Sequence, residues 1–180
     1  EIPHHLLAYS LVWLVADLVS HVAFKGPRPL KWVVRGVGAF LAVINYGFLF
    51  FDGNSNTAAF GLGIYTLFFL TLSLVYRQAT LFYAFTLTLP LFAVFLFRAF
   101  DITKWDHPVI FIAMAYYALG FFLRVKKRAP GWDETLLFSG LGIGVIVSIA
   151  APILGGVDAA LPVAFAATLW AVEAFWRKNV

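Results

Sequence analysis

A chain of 180 residues that is 62% hydrophobic and only 12% charged cannot hide its apolar side chains in a water-soluble core, because a domain of that size leaves much of its surface facing solvent. Its solvent is therefore lipid, and the absence of cysteine removes disulfide, thiolate and cysteine-ligated metal chemistry. The net charge of +4 does not point to nucleic acid, since eleven of the thirteen Lys and Arg residues gather at alternate ends of apolar segments.

Seven such segments follow one another, at roughly Leu6–Phe24, Leu30–Phe51, Ala58–Tyr76, Thr80–Phe97, Pro108–Leu123, Leu136–Leu154 and Ala159–Trp176. Each is apolar on all sides for longer than a barrel strand, so the predicted fold is all-α, a polytopic membrane protein of seven transmembrane helices in a single domain over residues 1–180.

The first segment carries Asp17 and His21 four residues apart, on one helix face about a turn from each other. A carboxylate at that depth is costly unless it meets protein, water or a partner, which makes the pair either a packing device or a ligand or proton site. Lys25 and Arg28 follow in a proline-stiffened basic loop. The second segment begins with Arg35 one turn inside the boundary, placed to snorkel to phosphate or to neutralise Asp17 or Glu173. Asn45 is a polar interruption in its outer half, and Gly36 and Gly38 are candidate close-approach points. The third segment is rich in hydroxyls, which usually bond their own backbone. The fourth, Thr80–Phe97, has no charged side chain and holds Pro90 near its middle, a candidate hinge. The fifth is aromatic, with Tyr116, Tyr117 and Gly120, and ends in the densest basic cluster, Arg124, Lys126, Lys127 and Arg128. The sixth opens on Asp133 and Glu134, suited to a helix N-terminus, and continues with a Gly140, Gly142, Gly144 stripe that reads as a helix contact. The seventh has Glu173 near its inner end.

Landmarks recur at a distance of about 100 residues. Thr57-Ala58-Ala59 parallels Asp158-Ala159-Ala160, Tyr76-Arg77 parallels Trp176-Arg177, and Arg35-Gly36-Val37-Gly38 parallels Ser139-Gly140-Leu141-Gly142. The pattern predicts a parallel repeat of units approximately 5–78 and 107–179 around a connector helix at 80–97. The layout of three, one and three helices is similar in topology to that of small sugar transporters and of trimeric intracellular cation channels. The basic ends define the cytoplasmic side, with the amino terminus outside and the carboxyl terminus inside, in a plasma or inner membrane.

Transport or conduction of a small solute or ion, with protons as candidate coupling ions, is the leading functional expectation, through Asp17, His21, Asn45 and Glu173 with Arg35 as charge partner. The alternative is a sensory or anchoring module attached to a cytoplasmic output domain beyond residue 180. An intramembrane enzyme is the least supported reading, because no nucleophile, metal or phosphate-binding motif is present. The expected partners are membrane lipids, with Lys25, Arg28, Arg124, Lys126, Lys127 and Arg128 meeting anionic headgroups, and a homo-oligomer is a further expectation. No residue pattern names a cofactor, and none supplies a metal site.

Overall fold

A computed structural model describes residues 2–23, 28–51, 53–102, 104–154 and 160–179, with the side chains of 28–31, 154 and 179 outside the description. Among the described residues the chain is all-helical, with α1 Ile2–Val22, α2 Arg28–Phe51, α3 Ser55–Tyr76, α4 Ala79–Ala99, α5 Asp106–Val125, α6 Trp132–Leu154 and α7 Ala160–Asn179. Six of them, α1 to α6, contain a stretch long and apolar enough to cross a membrane, the make-up of an integral membrane protein. The seventh is of similar length, but its last turns hold Glu173, Arg177 and Lys178. Several helices begin or end outside the apolar runs, because backbone hydrogen bonding continues through polar ends such as His4-His5 in α1 and Asp133-Glu134 in α6.

The helices group into two compact units, Glu1–Ile64 and Tyr65–Val180. In the first, the buried positions of α1 are Pro3, Leu7, Ser10, Leu14 and Asp17, alternately four and three residues apart. That spacing is a narrow seam along one face. On α2, Gly38, Ala42, Asn45 and Leu49 repeat the same spacing and are buried as well. The register is antiparallel: a Cβ on Gly38 would lie 3.0 Å from the Leu14 side chain, and Arg35 reaches Asp17 one turn further along. Gly36 faces open space, so of the two glycines only Gly38 supports a close approach; residues two apart on a helix point in nearly opposite directions. The start of α3 is capped by Asn54, whose Oδ1 accepts the backbone N–H groups of Asn56 and Thr57.

In the second unit α5 and α6 form the closest pair. Gly120 lies against the backbone of Asp133 and Leu137, and Gly140 against that of Ala113 and Tyr117. The absence of two side chains there lets the helix backbones approach, as in membrane helix pairs generally. Around this seam Ile110, Leu137, Val147 and Ala166 are completely or almost completely buried. Gly144 makes ordinary contact with Ala166 of α7, whereas Gly142 faces open space, so the glycine stripe of α6 divides between two directions.

The connections in this unit are tight. Arg77, Asp101 and Lys127 take left-handed backbone conformations just past α3, α4 and α5, with φ of 51°, 58° and 51°. The following N–H group in each case donates back across the last turn, Gln78 to Ser73, Ile102 to Phe97 and Arg128 to Leu123. This pattern satisfies carbonyls that the helix would otherwise leave open. Gly131, at φ +88°, allows the turn into α6, and the Asp133 carboxylate accepts its N–H.

Pro90 is buried inside α4 and removes the hydrogen bond to the carbonyl of Thr86. The Thr86 hydroxyl in turn meets the Ser139 hydroxyl on α6 at 2.7 Å and donates to the Tyr83 carbonyl at 3.1 Å. Ser139→Ala should therefore lower stability only slightly, by about 0.6 kcal/mol, the usual worth of an interhelical hydrogen bond in a membrane. A melting curve in detergent reads this, and a loss several times larger would mean that the hydroxyl pair holds α4 against α6.

Candidate functional site

Charged groups inside apolar helices are where function is first sought in a membrane protein. The described residues contain three buried carboxylates, Asp17 in the first unit and Asp106 and Glu173 in the second.

Asp17 is 1% exposed, facing the α1–α2 seam. Its Oδ2 accepts a hydrogen bond from Arg35 Nε at 3.0 Å, an ion pair in which the arginine is more accessible, at 27%. The Arg35 guanidinium also sits 5.7 Å from the centre of the Trp32 ring, an apolar and π-rich support for its outer face. Ser20 donates to the carbonyls of Ala16 and Asp17, closing the last turns of α1 on themselves. His21, next along, is exposed. Asn45 is completely buried on α2, about three turns from Arg35 along the same seam.

Glu173 is 3% exposed on α7. Its Oε2 accepts a hydrogen bond from the Tyr117 hydroxyl of α5 at 3.0 Å, and its Oε1 accepts one from Arg177 Nε, a turn later on the same helix, at 2.7 Å. Arg124, at the end of α5, places Nη1 3.7 Å from the same Oε1 and Nε 3.7 Å from Asp133 Oδ2 at the start of α6. Two arginines and two carboxylates thus join the ends of three helices, with the tyrosine hydroxyl completing the coordination of the buried one.

A third carboxylate stands at the start of α5. Asp106 is buried, with Oδ1 3.1 Å from His107 Nδ1, and its Oδ2 has no hydrogen-bond partner among the described residues. The positive end of the helix dipole favours an acid at that position. Tyr116, one turn before Gly120, likewise has a buried hydroxyl without a partner among the described residues. No group of three or more His, Asp or Glu able to hold a metal ion occurs among the described residues.

The structure brings Asp17 and Arg35 together and gives Glu173 a separate set of partners within its own unit. Of the bases read as lipid contacts, Lys126, Lys127 and Arg128 are exposed, Arg124 is half-buried and turned to Asp133 and Glu173, and Lys25 and the Arg28 side chain lie outside the described residues. Tyr117, Asp133 and Arg177 were not singled out as partners by sequence. The spacing of Glu173 and Arg177 by four is a legible signal, whereas the Tyr117 contact joins α5 to α7 and has no counterpart in local spacing.

Comparison with protein-family models, with curated proteins and with solved structures returned no match for this chain.

Proposed function

We propose that this protein moves a small solute or ion across a membrane, with protons as the first candidate, and that Asp17 and Glu173 are the groups that carry or gate the charge. The observation behind this reading is that two of the almost completely buried carboxylates, Asp17 on α1 and Glu173 near the end of α7, are each matched by arginine. Such groups are rare in lipid and commonly mark ion and proton pathways. The reading takes all seven helices as spans, with the amino terminus outside and the carboxyl terminus cytoplasmic, as the clustering of bases at alternate ends favours. It also places one buried carboxylate in each of the two sequence repeats, 5–78 and 107–179. His21 and Asn45 lie on the helices that bear the Asp17 pair and are proposed as lining groups, and Pro90 as the hinge of the connector helix.

The test is proton and cation flux in sealed vesicles for the intact protein and for Asp17→Asn, Glu173→Gln and His21→Ala. Flux that falls to the protein-free rate in the two carboxylate variants, while their melting holds, is the expected result. An intact protein without flux over a range of pH and monovalent cations would remove transport and leave the sensory or anchoring reading in its place.

A further inference from the structure

A groove of about 480 Å³ runs between α6 and α7, lined by Phe138, Leu141, Gly142, Trp170 and Ala174, with Glu173 and Arg177 toward the C-terminal end of α7. Its size falls in the range of about 300–1,000 Å³ that small-molecule sites occupy. Gly142 keeps the wall back, since a Cβ there would meet no atom within 4 Å. Phe138 and Trp170 are both about half exposed, so the groove opens sideways where a membrane helix meets hydrocarbon. The polar end is built from groups whose geometry is already fixed. Arg177 gives its Nε to Glu173 and is 60% exposed, and its two terminal amino groups make no hydrogen bond among the described residues. A guanidinium held by one edge presents the remaining donors in a fixed fork, which suits phosphate oxygens.

Charge decides which headgroup belongs there. Arg124, Arg177, Asp133 and Glu173 balance one another within the cluster. Lys178 beside Arg177 and the exposed Lys126, Lys127 and Arg128 after α5 add positive charge at that end, against Glu134 alone. A zwitterionic lipid would bring its own cation into this field, whereas an anionic one would not.

We propose that the α6–α7 groove is a binding site for one anionic phospholipid, an acyl chain lying along Leu141 and Gly142 and the phosphate on the terminal amino groups of Arg177. This site is distinct from general attraction of a basic surface to a membrane, because it has a shaped apolar slot and one fixed arginine. It does not depend on transport.

Native mass spectrometry of the detergent-purified protein, incubated with phosphatidylglycerol or with phosphatidylcholine of the same chains, tests it. The expected result is one retained phosphatidylglycerol per chain, in several-fold excess over phosphatidylcholine. Gly142→Leu, whose Cβ would meet nothing within 4 Å and whose side chain would occupy the slot, should abolish that adduct, and Ala174→Leu on the facing wall provides a second variant should the first melt early. Arg177→Gln should bring retention of the two lipids to parity. Gly36→Leu, a substitution into equally open space on α2, should retain phosphatidylglycerol as the intact chain does. Unchanged retention in both slot variants, or equal retention of the two lipids by the intact protein, overturns the proposal. So does a dimer that Gly142→Leu converts to monomer with lipid retention unaltered, since the groove would then be covered by a second copy.

Discussion

Arg35→Ala should destabilise the protein by about 3–5 kcal/mol, the cost of removing one partner from a buried ion pair. The carboxylate of Asp17 is 1% exposed, while its arginine partner is 27% exposed and touches the Trp32 ring. The two ends of the pair are therefore unequal. Without Arg35 the Asp17 carboxylate keeps its burial and loses its 3.0 Å countercharge. Without the acid, in Asp17→Asn, the long Arg35 side chain still has access to a polar boundary and to the indole, so the expected cost is clearly smaller. Asp17→Asn combined with Arg35→Ala should recover much of the loss, because no uncompensated charge remains. Melting of the four proteins of this cycle in one detergent gives the coupling directly. Equal losses from the two single variants would contradict the inequality of the two ends, and simple additivity in the double one would show that the contact carries little energy.

Gly140→Ala is the second large effect. The added Cβ would stand 2.7 Å from the carbonyl oxygen of Ala113 and 2.9 Å from the backbone nitrogen of Tyr117, and neither can turn aside as a side chain can. The α5–α6 seam must open, at about 3 kcal/mol, the upper end of the usual cost of overpacking. Gly61→Ala meets only the flexible tip of Leu49, at 2.9 Å, and should cost less. At Gly142, where nothing lies within reach, alanine should instead stabilise by about 0.5–1 kcal/mol through its better helix propensity. The order of the three melting temperatures is the check. A Gly140→Ala protein that melts with the intact one would mean that the helices are not in backbone contact. Gly120→Ala presses on the same seam against Asp133 and Leu137, so its effect should combine with that of Gly140 less than additively.

Much of the helical layout is legible in the sequence because lipid imposes it. A run such as Thr80–Phe97 has no other stable form in hydrocarbon than a helix, and α4 covers it with a residue or two to spare at each end. Helix ends are less legible, since polar residues continue the hydrogen-bond ladder without changing hydropathy, as Ile2–His5 does at the start of α1. Gly140 and Gly142 look alike in sequence, yet one is pressed against a neighbouring backbone and the other lines an open groove. Periodicity separates their directions, but only the packing of α5 and α7 on either side decides which direction is covered. The partners of the two carboxylates follow the same division. Arg177 can be found from Glu173 by counting one turn, Arg35 is legible as a charge partner but not as to which of the two carboxylates it meets, and Tyr117 on another helix leaves no local signal.

The ion pair between α1 and α2 also bears on how the chain enters the bilayer. An aspartate or an arginine at the centre of an isolated helix opposes insertion by about 2.5–3.5 kcal/mol, and Asp17 and Arg35, nearer the ends of their helices, carry a part of that which the apolar residues around them must outweigh. Asp17 is synthesised first, and Arg35 emerges 18 residues later. Partition of α1 by itself carries the carboxylate into lipid without Arg35, whereas partition of α1 and α2 as a hairpin carries the two charges together. The antiparallel register that sets Leu14 on Gly38 and Asp17 on Arg35 is thus also a route of entry, in which the first helix is committed to the membrane by the arrival of the second.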